Sequence, residues 1–151
     1  MATVEQFAIM ATNAYGSARP ANEVPDPVGW TTVKHVTDTS GLEYSVIRND
    51  ADANDIVIAY AGTDTSLPGA IPDWATNLVA SLGLPVVSQL LVAAQAYVAT
   101  RLEHPTANIT FTGHSLGGGL ASVMALWFAD RTYKRPYVGS GTGRGELQSG
   151  G

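Results

Sequence analysis

The sequence predicts an α/β fold, a central mixed sheet with parallel inner strands and helices on both faces. Three observations carry this. The run "IVIAYAG" (56–62) is short and apolar, without the polar alternation of a half-exposed strand, and "ITFT" (109–112), rich in β-branched residues, reads as another buried strand. Between them lies a long helix-like stretch, and two parallel strands need such a crossover. The second run then passes through the Gly-rich turn "GHSLGGG" into another helix-like stretch.

Along the chain, Val4, Phe7, Ala8, Met10 and Ala11 recur at helical spacing, with Gly16 and Pro20 following as stop signals. A Pro/Asn/Asp/Gly loop spans Ser17–Gly29. Two strands are expected at Thr31–Thr37 and Glu43–Arg48, joined by the turn "DTSG". The polar turn "RNDADAND" leads into the buried run at 56–62. Residues Thr63–Pro72 form a loop, and Asp73–Ala80 reads as a short helix with Asp73 as N-cap. Leu84–Arg101 is the clearest helix, with Val87, Leu90, Leu91, Ala94, Tyr97 and Val98 expected on its apolar face. "HPTAN" ends it, Ile109–Thr112 is a strand, and Leu116–Arg131 is a second long helix. A further strand could begin at "RPYV".

With 151 residues and 45% hydrophobic composition, the chain suits one domain with a real core. That domain is expected over 1–138. The tail 139–151, "GSGTGRGELQSGG", has the composition of a flexible linker. The net charge is −5 and the eight basic residues are scattered, which leaves no footprint for nucleic acid or an anionic membrane surface. Without cysteine there are no disulfides, zinc thiolates or thiol nucleophiles. The N-terminus lacks the basic and apolar regions of a signal peptide, and no apolar stretch is long enough to span a membrane. The expectation is a soluble protein, cytoplasmic or exported without an N-terminal signal.

The chemistry concentrates at Gly113–Gly117, "GHSLG", a G-x-S-x-G pattern. At average composition a chain of this length contains that pattern by chance about one time in twenty, so the bare match is weak. Its placement between a buried strand and a helix strengthens it. In such an elbow Gly113 and Gly117 remove Cβ atoms that would collide, and the serine takes a strained backbone conformation. Ser115 would then project at the C-terminal edge of the sheet, with the following helix aiming free N–H groups at it. The plainer reading is a structural turn in which Ser115 only caps the helix. A phosphate loop is a third reading, but the GK[ST] ending and a fitting G-x-G-x-x-G are both missing. Thr63, just after the buried run at 56–62, would sit at the same sheet edge. Its N–H and that of Leu116 are the natural pair of oxyanion donors, against the alternative of an ordinary turn residue.

Together, "IVIAYAGTDTS", "PDWATNL" and "ITFTGHSLGGGLASVMALWF" resemble the class 3 lipases, a branch of the α/β-hydrolases. The resemblance runs from about Val4 to Tyr137. It implies a partial α/β-hydrolase fold and carboxylic-ester hydrolysis through an acyl-Ser115 intermediate. The Thr63 and Leu116 N–H groups would form the oxyanion hole, and Asp64–Pro72 would occupy the lid position. It implies no cofactor, and a lipid or small ester as substrate. Two positions depart from the family pattern: Ala61 where Arg is usual, and Gly119 where Ala is usual.

A serine hydroxyl needs a base, and the base needs an orienting acid. In α/β-hydrolases these follow the nucleophile in the chain. After Ser115 the only acids are Asp130 and Glu146, and there is no histidine. Asp130 lies about four helical turns from Ser115, roughly 22 Å, too far for a triad acid. Asp64 and Asp73 read better as loop and cap residues. His114 adjoins Ser115, but neighbours in a tight elbow point apart, and in the family this position packs. His104 is expected at the opposite edge of the sheet, and His35 on an early strand as a half-exposed residue. The expectation is therefore a truncated lipase-like chain with impaired activity, able to self-associate through an exposed sheet edge. The alternative is a non-catalytic fragment or pseudoenzyme that binds acyl or ester ligands.

Overall fold

The computed structural model describes residues 1–16, 24–62 and 83–128, with the backbone alone for 83–87. The expectations for Thr63, the lid loop, the helix at Asp73, Asp130, Glu146 and the C-terminal tail lie outside these residues.

Helix α1 (Val4–Asn13) starts at a capping box. The Thr3 hydroxyl accepts from the Gln6 N–H at 3.3 Å, and the Gln6 side chain accepts from the Thr3 N–H at 2.9 Å. Two free N–H groups of the first turn are thereby satisfied. The buried stripe of α1 is Phe7, Met10, Ala11 and Ala14, whereas Val4 and Ala8 face out. The helical spacing is present, and the inward face is the one that packs on Ile47, Val57, Ala59 and Ala61 of the sheet.

Strand β1 (Trp30–Thr37) pairs antiparallel with β2 (Glu43–Asn49), and β2 pairs antiparallel with β3 (Asp55–Tyr60). The β1–β2 turn closes through Asp38, whose carboxylate accepts from the Ser40 N–H at 2.6 Å, while Gly41 takes φ 84°. The "RNDADAND" turn closes by the same chemistry. Asn49 and Asp52 side chains accept from the N–H groups of Ala51 and Asn54, both at 2.9 Å. Helix α2 (Gly83–Glu103) then crosses over to β4 (Asn108–Gly113), which pairs parallel with β3. Helix α3 (Leu116–Phe128) follows directly. The spatial order is β1-β2-β3-β4, a mixed sheet with one parallel pair.

Side chains alternate between the two faces of the sheet. Ile47, Val57, Ala59 and Ala61 pack with Phe7, Met10 and Ala14 of α1. Tyr44, Val46, Ile56, Ile58, Tyr60 and Phe111 pack with Ala93 and Ala96 of α2 and Leu120, Ala121 and Met124 of α3. Helices thus cover both faces. β3 is buried along its whole length, which explains why residues 56–60 are apolar at every position.

The face of α2 differs from the expected one. Its buried stripe is Gln89, Ala93, Ala96 and Thr100, while Leu91 and Val98 point outward and Leu90, Ala94 and Tyr97 flank the core. The reason is volume. Tyr60 and Phe111, stacked with centroids 6.2 Å apart, already fill the space above the sheet. The helix can then approach only with small residues, close enough for the Tyr60 hydroxyl to donate to the Ala93 carbonyl at 2.9 Å.

Candidate functional site

The end of β4 leads without a loop into α3, and Ser115 sits at the junction with φ 57°. Among the described residues it is the one non-glycine with positive φ. This left-handed conformation costs an L-residue energy, typically 1–3 kcal/mol. Packing holds it there. A Cβ on Gly113 would overlap the backbone of Gly117, and a Cβ on Gly117 would overlap the Tyr60 carbonyl. With hydrogen at both positions, α3 can lie directly against the ends of β4 and β3. The chain must reverse within two residues, His114 and Ser115.

His114 and Ser115 are both exposed, and Leu116 is half-buried. The Ser115 carbonyl accepts from the Gly118 N–H at 3.0 Å and the Gly119 N–H at 3.2 Å, which starts the helix. Among the described residues no acceptor is bonded to the Leu116 N–H. This is expected of a first-turn donor, and it faces the positive end of the helix dipole outward at Ser115. The Gly62 backbone is close by. A Cβ there would lie 3.3 Å from the Leu116 nitrogen and 3.0 Å from the His114 carbonyl oxygen. The residue after it, Thr63, falls outside the described part of the chain.

Tyr15, just past the end of α1, stands between these segments. Its hydroxyl accepts from the Gly62 N–H at 2.8 Å and donates to the His114 carbonyl at 3.3 Å. Nothing in the sequence singles Tyr15 out, because the contact with His114 spans 99 positions and no local pattern encodes it.

The three histidines have separate surroundings. The His114 ring meets the Tyr15 ring edge-on, with centroids 6.4 Å apart. His35, exposed on β1, hydrogen-bonds the Ser45 hydroxyl at 2.8 Å through Nδ1, and its Nε2 lies 3.6 Å from a Glu43 carboxylate oxygen. This Ser–His–Glu arrangement is not a second nucleophilic site, since Ser45 is only 3% exposed. His104 lies in the α2–β4 turn, its carbonyl accepting from the Ala107 N–H, at the end of β4 opposite Ser115. Among the described residues, no imidazole hydrogen-bonds Ser115.

The family model described as phospholipase-like, a Tle-like phospholipase domain, matches residues 6–133. No curated protein sequence matches the chain. Among solved structures, a lipase from Rhizopus microsporus var. chinensis superposes with TM-score 0.58 at 18% identity, covering 85% of this chain and 50% of that one. Lipase II from Rhizopus niveus gives 0.54 at 18% identity, covering 85% and 55%. The triacylglyceride lipase of Rhizomucor miehei gives 0.53 at 16% identity, with the same coverage. The chain therefore spans about half the length of the structures it matches. At these identities the likeness shows the fold, and the partial α/β-hydrolase sheet expected from the sequence is the one present.

Proposed function

The chain belongs to the family of Tle-like phospholipase domains, and from that premise we propose that it carries the nucleophile of a lipase-like serine hydrolase acting on carboxylic esters of lipids. The observation that carries this reading is Ser115 itself. It is exposed, held at φ 57° on a strand–helix turn, and followed by the first turn of α3, whose Leu116 N–H has no acceptor among the described residues.

In this reading Ser115 Oγ attacks the ester carbonyl carbon and its proton passes to a base. The carbonyl oxygen becomes an oxyanion, stabilised by the Leu116 N–H and by Thr63 as second donor. The tetrahedral intermediate collapses by breaking the ester C–O bond. The alcohol leaves with a proton, and the acyl group remains on Ser115 until water removes it. A preorganised donor of this kind contributes roughly 3–4 kcal/mol to the transition state. None of His35, His104 and His114 is placed to take the Ser115 proton, so the reading requires a base from outside the described residues. Membership of the Tle-like phospholipase family and the likeness to lipases support a lipid ester, and phospholipids in particular, as the substrate class.

The absence of an imidazole at Ser115 among the described residues favours a second reading, an ester-binding domain without turnover. A fluorophosphonate probe separates the two. Labelling that reaches one probe per chain, maps to Ser115 by mass spectrometry and is lost in Ser115→Ala supports the nucleophile. No labelling at high probe concentration, with thermal stabilisation by a non-hydrolysable phospholipid ether, supports the binding domain.

A further inference from the structure

We infer that Tyr15 is a positioning residue for the Ser115 site, its hydroxyl fixing the end of β3 against the β4–α3 turn. This rests on the reading of Ser115 as nucleophile and extends it to a residue on a different element.

A tyrosine hydroxyl has one proton to donate and lone pairs to accept with. Here the proton goes to the His114 carbonyl and a lone pair receives the Gly62 N–H. The two partners belong to the two segments that must converge on an oxyanion. Gly62 precedes Thr63, and the His114 carbonyl belongs to the peptide that enters Ser115. The same carbonyl also accepts from the Gly117 N–H at 3.0 Å. It is therefore tied to α1 through Tyr15 and to α3 through Gly117.

The contact is a tight fit. A Cβ at Gly62 would come within 2.5 Å of the Tyr15 oxygen, so the hydroxyl occupies the space that any larger residue at 62 would need. Tyr15 has little freedom to leave. Ala14 beside it is fully buried, its N–H bonded to the Met10 carbonyl at 3.1 Å, and the Tyr15 ring lies against His114. In this role the hydroxyl acts through Gly62 and His114. Donors displaced by about 1 Å lose around a hundredfold in rate, so a bridge of this kind has leverage on the chemistry without touching substrate.

The test compares Tyr15→Phe with wild type and with Tyr97→Phe, a distant tyrosine on α2, in the 151-residue chain. Two readouts are taken: amide hydrogen exchange, and fluorophosphonate labelling resolved into its maximal rate and its half-saturating concentration. In Tyr15→Phe the Gly62 amide is expected to exchange about fivefold to twelvefold faster, as loss of a hydrogen bond worth about 1–1.5 kcal/mol would give. The amide of Val57, mid-strand, should be unchanged. The maximal labelling rate is expected to fall about tenfold to a hundredfold, with the half-saturating concentration within about twofold and Tyr97→Phe like wild type. Unchanged Gly62 exchange overturns the bridge. Faster exchange with an unchanged labelling rate overturns the positioning role and leaves Tyr15 a structural contact. If wild type does not label, the nucleophile reading fails and the positioning role with it, while the exchange data still decide whether the bridge exists.

Discussion

Gly117, in the first turn of α3, rests directly on the Tyr60 carbonyl at the end of β3, with no space between them for a methyl group. The neighbour is backbone and cannot rotate away. Gly117→Ala is therefore expected to destabilise by roughly 3 kcal/mol, the upper range for overpacking. Urea denaturation followed by circular dichroism measures it, and a loss below about 1 kcal/mol would mean that α3 can shift off β3 at little cost.

Two positions along the same helix, Gly119 has open space where its Cβ would go and lies on the exposed side. Gly119→Ala should stabilise by about 0.5–1 kcal/mol through helix propensity and a less free unfolded chain. That corresponds to a rise of about 1–4 °C in Tm for a domain of this size. Opposite signs at 117 and 119 would show that contact, and not glycine content, governs this helix.

Ser115 offers a third comparison. Glycine accepts φ 57° without steric cost, whereas serine does not. Ser115→Gly is expected to raise stability by about 1 kcal/mol while abolishing fluorophosphonate labelling. A variant that loses both stability and labelling would place the strain elsewhere.

Burial pushes the Tyr60 phenol well above its ordinary 10.0, with Tyr44 adding to the shift. The folded state thus holds a proton that the unfolded state releases. The sign follows: this contribution is fully present below pH 10 and is lost as pH rises above it. Denaturation midpoints should fall steeply between about pH 10 and 12, and less so in Tyr60→Phe. At neutral pH that variant should lose about 1 kcal/mol, because the Tyr60–Ala93 hydrogen bond is gone.

Strand and helix positions were legible in the sequence because their signals are local. The β-branched run at 56–60 reads as a buried strand, and the Asp38–Gly41 turn declares itself by residue type. The inward face of α2 was not legible. The large residues Leu91 and Val98 suggested one face, but the space was already taken by Tyr60 and Phe111 from distant strands, and the small residues at 93 and 96 face in. Local sequence reports hydrophobicity, not the room left for it. At the site, Ser115 with its flanking glycines could be read from spacing. Tyr15 could not, since its relation to His114 exists only once α1 and β4 are folded onto each other.

The sheet order carries a consequence for assembly in time. In β1-β2-β3 each strand meets its predecessor across a tight turn: Thr37 pairs with Glu43, six positions on. Tyr60 pairs with Gly113 only after a crossover of more than fifty residues. Loop-closure entropy puts the second event about 2 kcal/mol behind the first. The three-stranded meander can therefore form early, while the seat of Gly117 on Tyr60 waits for the β3–β4 crossover and the Tyr15 bridge for a closure of 99 positions. The contacts that hold Ser115 in its left-handed turn thus join parts of the chain that lie far apart in sequence.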